Sequence, residues 1–147
     1  MGQFPPQSLP RGFSHGDYHA QNLGFGDTGD ILGIIDWDRW DPHEYLTRDF
    51  LHFIFQCRVV RKETSYMDAL TDWLEDRETD APESRWTQSF LQQTGMPSNW
   101  KAGAVLAYWA DRVACYVGTT MDVNDPWKER NFTKVLPVIS RCLRSGM

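Results

Sequence analysis

The feature that most restricts this chain is the octet His15-Gly16-Asp17-Tyr18-His19-Ala20-Gln21-Asn22 joined directly to a hairpin pattern over residues 22–36. Asn22-Leu23-Gly24-Phe25 has the alternation of a short strand. Gly26-Asp27-Thr28-Gly29-Asp30 is a dense turn cluster, and Ile31-Leu32-Gly33-Ile34-Ile35 is a second strand rich in β-branched residues that ends at Asp36. A polar loop leading straight into a hairpin leaves few ways to arrange residues 15–36. A hairpin centred on Gly29 pairs position 22 with position 36. Directly opposed residues share a face of the ribbon with Cβ atoms about 4.5–5.5 Å apart, so this register predicts that Asn22 and Asp36 lie side by side. A bulge in the turn would break that register.

On either side of this segment the pattern changes. Residues 1–14 carry Pro5, Pro6 and Pro10, which block helix and predict an extended arm. From Tyr45 onward the apolar spacing is helical. One stripe runs from Tyr45 to Arg61 through Leu46, Phe50, Leu51, Phe53, Ile54, Cys57 and Val60, and a second from Ser65 to Asp76 through Met67, Leu70, Trp73 and Leu74. Pro82 opens a third helix that ends at Thr94 before Gly95 and Pro97. Ser98 is placed to cap a long central helix from Asn99 to about Thr120, apolar on most faces. A last helix from about Lys128 to Leu143 is expected to be interrupted at Pro137. The fold class read from this pattern is α+β and mainly α. It comprises an arm over 1–14, a loop-and-hairpin segment over 15–44 and a helical region over 45–147.

Composition narrows the function classes. With 41% hydrophobic and 24% charged residues, the 147-residue chain can bury a core and is not of disordered type. A formal net charge of -5, with no basic run larger than Arg58, Arg61 and Lys62, argues against nucleic acid as a partner. No apolar run approaches the roughly 20 residues of a membrane span, and the first residues lack a secretory pattern. The scattered thiols Cys57, Cys115 and Cys142 suit a reducing, cytoplasmic setting better than a disulfide frame or a zinc site.

The chemistry that His15-x-Asp17-x4-Asn22 suits is phosphoryl transfer, because the spacing is that of a kinase catalytic loop. Such a reaction needs a carboxylate to take or orient the proton of the attacking hydroxyl, and oxygen ligands to hold magnesium against the phosphates. Asp17 can do the first. Asn22 and Asp36 can do the second, since amide and carboxylate oxygens, phosphates and water are the donors magnesium prefers. A rival reading takes His15, Asp17 and His19 as ligands of a metal-dependent hydrolase. It leaves Asn22 and Asp36 unexplained, and His43 and His52, read as structural or surface residues, stand in no partner motif.

HGDYHAQN followed by Ile34-Ile35-Asp36-Trp37-Asp38-Arg39 resembles the aminoglycoside phosphotransferase and choline kinase-like superfamily, small-molecule kinases with a protein-kinase-like fold. The motifs cover residues 15–38. The resemblance implies that Asp17 is the catalytic base, that Asn22 and Asp36 hold Mg2+, that His15 braces the loop, that His19 lines the site and that Asp38 fills the second acidic position. Arg48-Asp49-Phe50 is similar to the helix start in which an Asp anchors the catalytic loop. The family's G-D-P appears here as Trp40-Asp41-Pro42, without the glycine.

The resemblance further implies ATP as phosphoryl donor and a small hydroxylated acceptor. In the family, a lobe ahead of the loop holds the nucleotide through a glycine-rich loop and a strand lysine. Only fourteen residues stand ahead of His15, and no nucleotide-binding residue is identified among them. The expectation is therefore the helical C-lobe portion of such a kinase, its N-lobe absent, without efficient turnover as an isolated chain and with apolar surface that a protein partner would cover. The alternative is a non-catalytic kinase-lobe remnant acting as an interaction module.

Overall fold

The computed structural model describes residues 9–75, 81–96, 100–119, 126 and 135–145. Two short antiparallel ribbons stand at the N-terminal end. One pairs β1 (Arg11–Ser14) with β4 (Asp41–Tyr45), and the other pairs β2 (Leu23–Phe25) with β3 (Ile31–Ile34). A single 3-10 turn, Ala20–Asn22, leads into β2. Five helices come after them: α1 (Thr47–Lys62), α2 (Tyr66–Leu74), α3 (Ala81–Thr94), α4 (Trp100–Thr119) and α5 (Val135–Ser145), counted among the described residues. This is the α+β, mainly α pattern that the sequence predicts.

Several boundaries differ from expectation for physical reasons. The arm is extended over Arg11–Ser14, yet it is not free-standing. Arg11 pairs with Tyr45, Gly12 with Glu44 and Ser14 with Asp41. The Arg11 guanidinium donates to the His43 carbonyl at 2.9 Å and to the Tyr45 hydroxyl at 2.7 Å, and Leu46 N–H donates to the Pro10 carbonyl at 3.1 Å. That pairing converts residues 41–45 into a strand, so the first helix begins at Thr47 rather than Tyr45. Residues 1–8 of the arm lie outside the described residues, as do Ser98, Asn99, Trp127 and the 128–134 start of the last helix. Pro137 lies within α5, in the first turn of its described residues, and the helix continues past it to Ser145.

The hairpin register is shifted by one residue. Gly29 N–H donates to the Gly26 carbonyl at 2.9 Å, and Gly29 takes φ +85°, so it ends the turn instead of centring it. This is a type I turn closed by a left-handed glycine. Phe25 then pairs with Ile31, while Gly24 pairs with Gly33, which leaves Leu32 as an extra, 76% exposed bulge residue. Leu23 faces Ile34, and Ile35 N–H donates to the Asn22 carbonyl at 3.0 Å. The partner of Asn22 is therefore Ile35, and Asp36 lies one residue beyond the expected pairing.

The core sits among the helices. Leu51, Ile54 and Phe55 of α1 pack with Leu70 and Trp73 of α2, Val105 and Tyr108 of α4, and Val135 and Ile139 of α5, all buried. The i, i+3, i+4 spacing of the α1 residues is what turns one face inward. Ser65 caps α2 by accepting the Asp68 N–H at 3.1 Å, and Gly95 at φ +63° ends α3. Arg58 and Glu83 are wholly buried between α1 and α3. Both Arg58 Nε and Nη2 donate to Glu83 Oε2, at 2.9 and 2.6 Å, and Arg61 Nη2 reaches Oε1 at 2.7 Å. The most basic run of the sequence is thus partly a core ion-pair network.

Candidate active site

The loop that carries Asp17 is held from three sides. From α1, the Asp49 carboxylate accepts the His15 N–H at 2.5 Å and the Gly16 N–H at 2.9 Å. These partners are 34 and 33 residues apart in sequence and meet because the β1–β4 ribbon returns the chain to where it left the arm. From the hairpin, the buried His15 ring bonds the Ile35 carbonyl through Nε2 at 2.8 Å. A carbonyl only accepts, so Nε2 carries the proton, and Nδ1 is left to accept the Asp17 N–H at 3.3 Å. From within the loop, the Asn22 amide nitrogen donates to the Asp17 carbonyl at 3.0 Å.

Gly16 is required at its position. Its φ is +84°, and a Cβ there would lie 2.2 Å from the Arg39 carbonyl oxygen. The H-G-D order therefore has a geometric meaning. His ties the loop to the hairpin, Gly lets the backbone pass Arg39, and Asp is presented at the apex. The His15 ring thus joins the loop to the hairpin, and the Asp49 carboxylate joins it to α1.

The Asp17 carboxylate is half-buried and its two oxygens have different neighbours. Oδ1 is 2.9 Å from His52 Nε2 and 3.8 Å from Arg112 Nη1; Oδ2 is 3.8 Å from His19 Nε2. Neither His52 nor Arg112 stands in a sequence motif, and His52 is expected from sequence to be a structural or surface residue. His52 is in fact buried against the site, and its Nδ1 lies 2.7 Å from the Tyr108 hydroxyl and 3.1 Å from that of Tyr66. Its one signal in the sequence is a histidine within an apolar helical stripe, which ordinarily marks a satisfied core group.

Burial, with Arg112 adding to it, pushes the His52 imidazole down to about 4, against the opposing pull of Asp17, so the ring is neutral at physiological pH. Burial raises the Tyr66 phenol, which stays protonated. Burial also raises Asp111, opposed by Arg48 at 3.2 Å.

Asn22 is buried at the start of β2, while Asp36 is exposed just past β3 with φ +66°. The Ile35 to Asn22 backbone bond brings the two positions to adjoining places on the ribbon, although not directly opposite. Asn22 spends its amide nitrogen on Asp17, so its amide oxygen is the atom that could serve a cation. An amide oxygen, a carboxylate, phosphate oxygens and water make a suitable magnesium set. Asp38 is exposed in the turn closed by Trp40 N–H to the Trp37 carbonyl. It has no hydrogen bond or ion pair to Asp17 among the described residues.

The hydrolase ligand set does not assemble. Both ring nitrogens of His15 are committed, and the described residues contain no group of three His, Cys, Asp or Glu side chains arranged to hold a metal. Beside the loop, a cleft of about 220 Å³ is lined by His19, Ala20, Gln21, Gln56, Cys57 and Trp86. No helix among the described residues is long and apolar enough to cross a membrane.

No curated protein and no solved structure matches the chain. Residues 1–47 match the family model described as the phosphotransferase enzyme family. That fragment, less than half of the chain, holds the H-G-D loop, the hairpin and Asp36, and over it the chain is similar to that family.

Proposed function

We propose that this chain carries the acceptor-activating and metal-holding part of a small-molecule phosphotransferase site. The observation that supports it most is the construction around Asp17. One carboxylate is presented on a loop that Asp49, His15 and Asn22 all brace, within the segment that matches the phosphotransferase family. Asp17 acts on the acceptor hydroxyl. Its proton passes to a carboxylate oxygen as the hydroxyl oxygen bonds the γ-phosphorus of ATP, and the bond from that phosphorus to the bridging oxygen breaks to release ADP. Asn22 Oδ1 and the Asp36 carboxylate are the residues that would hold Mg2+. A magnesium ion held by them would supply positive charge to the phosphate oxygens.

The cleft beside His19 offers space for a small hydroxylated acceptor within reach of the Asp17 loop. His19 borders both the cleft and the carboxylate, so it is suited to contact the acceptor.

The test has two arms. Mn2+ with ATP, followed by NMR of the labelled full chain, is expected to broaden Asn22 and Asp36 first, with the effect lost in Asp36→Asn. Radiolabelled Mg-ATP with a panel of hydroxylated amines and sugars is expected to give slow transfer that Asp17→Asn abolishes. No broadening at Asn22 and Asp36, together with no transfer to any acceptor, would remove the proposal.

A second reading, a non-catalytic interaction module, draws support from exposed apolar side chains on the ribbons. Phe25, Ile31, Leu32 and Ile35 are exposed on the hairpin, and Phe13 stacks on Trp40 at 5.5 Å between ring centres in an equally exposed position. Concentration-dependent sedimentation that is lost in Leu32→Lys, without any transfer from Mg-ATP, is the outcome that reading expects.

A further inference from the structure

The geometry points to His52 as the positioning residue for Asp17: it holds Oδ1 and leaves Oδ2 as the oxygen that meets the acceptor hydroxyl. This inference rests on the phosphotransfer reading for its functional meaning, and on the described contacts for its geometry.

The first observation is chemical. His52 faces a carboxylate at Nε2 and two phenols at Nδ1. A carboxylate accepts hydrogen bonds and cannot donate when ionised, whereas a phenol does either. The arrangement that avoids setting two acceptors against each other has the proton on Nε2, beside Asp17, and Nδ1 accepting the nearer hydroxyl, that of Tyr108. The second is burial. The His52 side chain is 2% exposed, so water does not supply a partner for Nε2, and Asp17 Oδ1 is the acceptor next to it.

The 2.9 Å contact is short but not aligned as a hydrogen bond, so Nε2 is formally without one. Contacts of catalytic groups commonly tighten when substrate arrives, and a buried N–H 2.9 Å from the carboxylate oxygen is placed to do so. The third observation is asymmetry. His52 and Arg112 both crowd Oδ1, while among the described residues the charged or titratable neighbour of Oδ2 is His19, at 3.8 Å. His19 also lines the cleft. The carboxylate oxygen that faces the acceptor space is therefore Oδ2.

His52 itself is fixed by tertiary structure. Tyr66 comes from α2 and Tyr108 from α4, and their rings lie 6.1 and 6.2 Å from the imidazole. Two helices thereby set the orientation of a third helix's histidine, which in turn sets the carboxylate on the loop. The same support keeps the ring neutral, which burial favours, so that its N–H dipole rather than a full charge meets Asp17.

The test uses the full chain with 15N-labelled histidine. Long-range ring NMR at pH 7 is expected to show His52 neutral with its proton on Nε2, and Asp17→Asn is expected to shift that Nε2 proton. A proton on Nδ1, or an Nε2 resonance indifferent to Asp17→Asn, would overturn the assignment. Phosphoryl transfer from Mg-ATP supplies the second readout. His52→Met, which removes the donor at similar volume, is expected to lower kcat about 100-fold at nearly constant KM, while His52→Gln, which restores an N–H near the Nε2 position, recovers at least about tenfold of that loss. Equal kcat in wild type and His52→Met would overturn it. If wild type transfers no phosphoryl group, the phosphotransfer reading fails, and the ring NMR alone decides whether His52 holds Asp17.

Discussion

Replacing Asp49 by alanine removes the side chain that, among the described residues, holds the backbone of His15 and Gly16. Both N–H groups donate to its carboxylate, at 2.5 and 2.9 Å, in a partly buried place. A hydrogen bond to a charged group contributes about 1.5–3 kcal/mol, and this site is only half-buried, so about 1.5 kcal/mol for each bond is the fitting end of the range. The two together give about 3 kcal/mol. A further contribution of roughly 0.5 kcal/mol comes from the carboxylate's place in the first turn of α1, where it meets the positive end of the helix dipole. For a chain of this size, about 3 kcal/mol lowers Tm by roughly 6–12 °C.

The more discriminating measurement is local. Hydrogen exchange at the His15 and Gly16 amides is expected to accelerate about 100-fold in Asp49→Ala, since every 1.4 kcal/mol is a factor of ten. Asp49→Asn retains one acceptor oxygen and is expected to lose about half as much. If both amides keep their protection to within about threefold in Asp49→Ala, the loop is held by something other than Asp49 and the reasoning from these bonds is wrong.

Two other perturbations probe the frame around the site. Gly16→Ala places a methyl 2.2 Å from the Arg39 carbonyl oxygen at φ +84°, and a urea melt is expected to show a loss of at least about 2 kcal/mol; a change under about 0.5 kcal/mol would contradict the close approach. Glu83→Gln leaves the buried Arg58 guanidinium facing an amide, with an expected loss of about 3 kcal/mol by denaturant unfolding, while the joint change Arg58→Met with Glu83→Leu is expected to recover most of it.

The sequence is most informative where chemistry and local geometry coincide. The H-G-D-x4-N spacing can be read because every member has a role within a few residues of the next: the His15 ring meets the Asp17 amide, and the Asn22 amide meets the Asp17 carbonyl. The helix limits near Thr94 and Ser65 are legible from Gly95 and from a serine cap, which are local signals. The hairpin is legible as a hairpin, but its register is not. Gly29 suits either the centre or the end of a turn, and the bulge at Leu32 has no signature beyond an ordinary strand residue. The β1–β4 ribbon is also hidden, because Asp41–Tyr45 becomes a strand only through pairing with an arm about 30 residues earlier.

What the sequence by itself determined is a local pattern: an Asp on a polar loop, an Asn and an Asp at the two ends of a hairpin, and helices behind them. Those features depend on residue type and short spacing. Tertiary structure decided how the Asp is held. Asp49 reaches the loop across 34 positions, and Tyr108 reaches across 56 to stand behind the His52 that meets Asp17. A histidine in an apolar stripe looks the same in sequence whether it faces a methyl group or a carboxylate. Only the packing of α1 against α2 and α4 fixes which way its ring turns, because the hydroxyls that orient it come from helices whose approach no local spacing encodes.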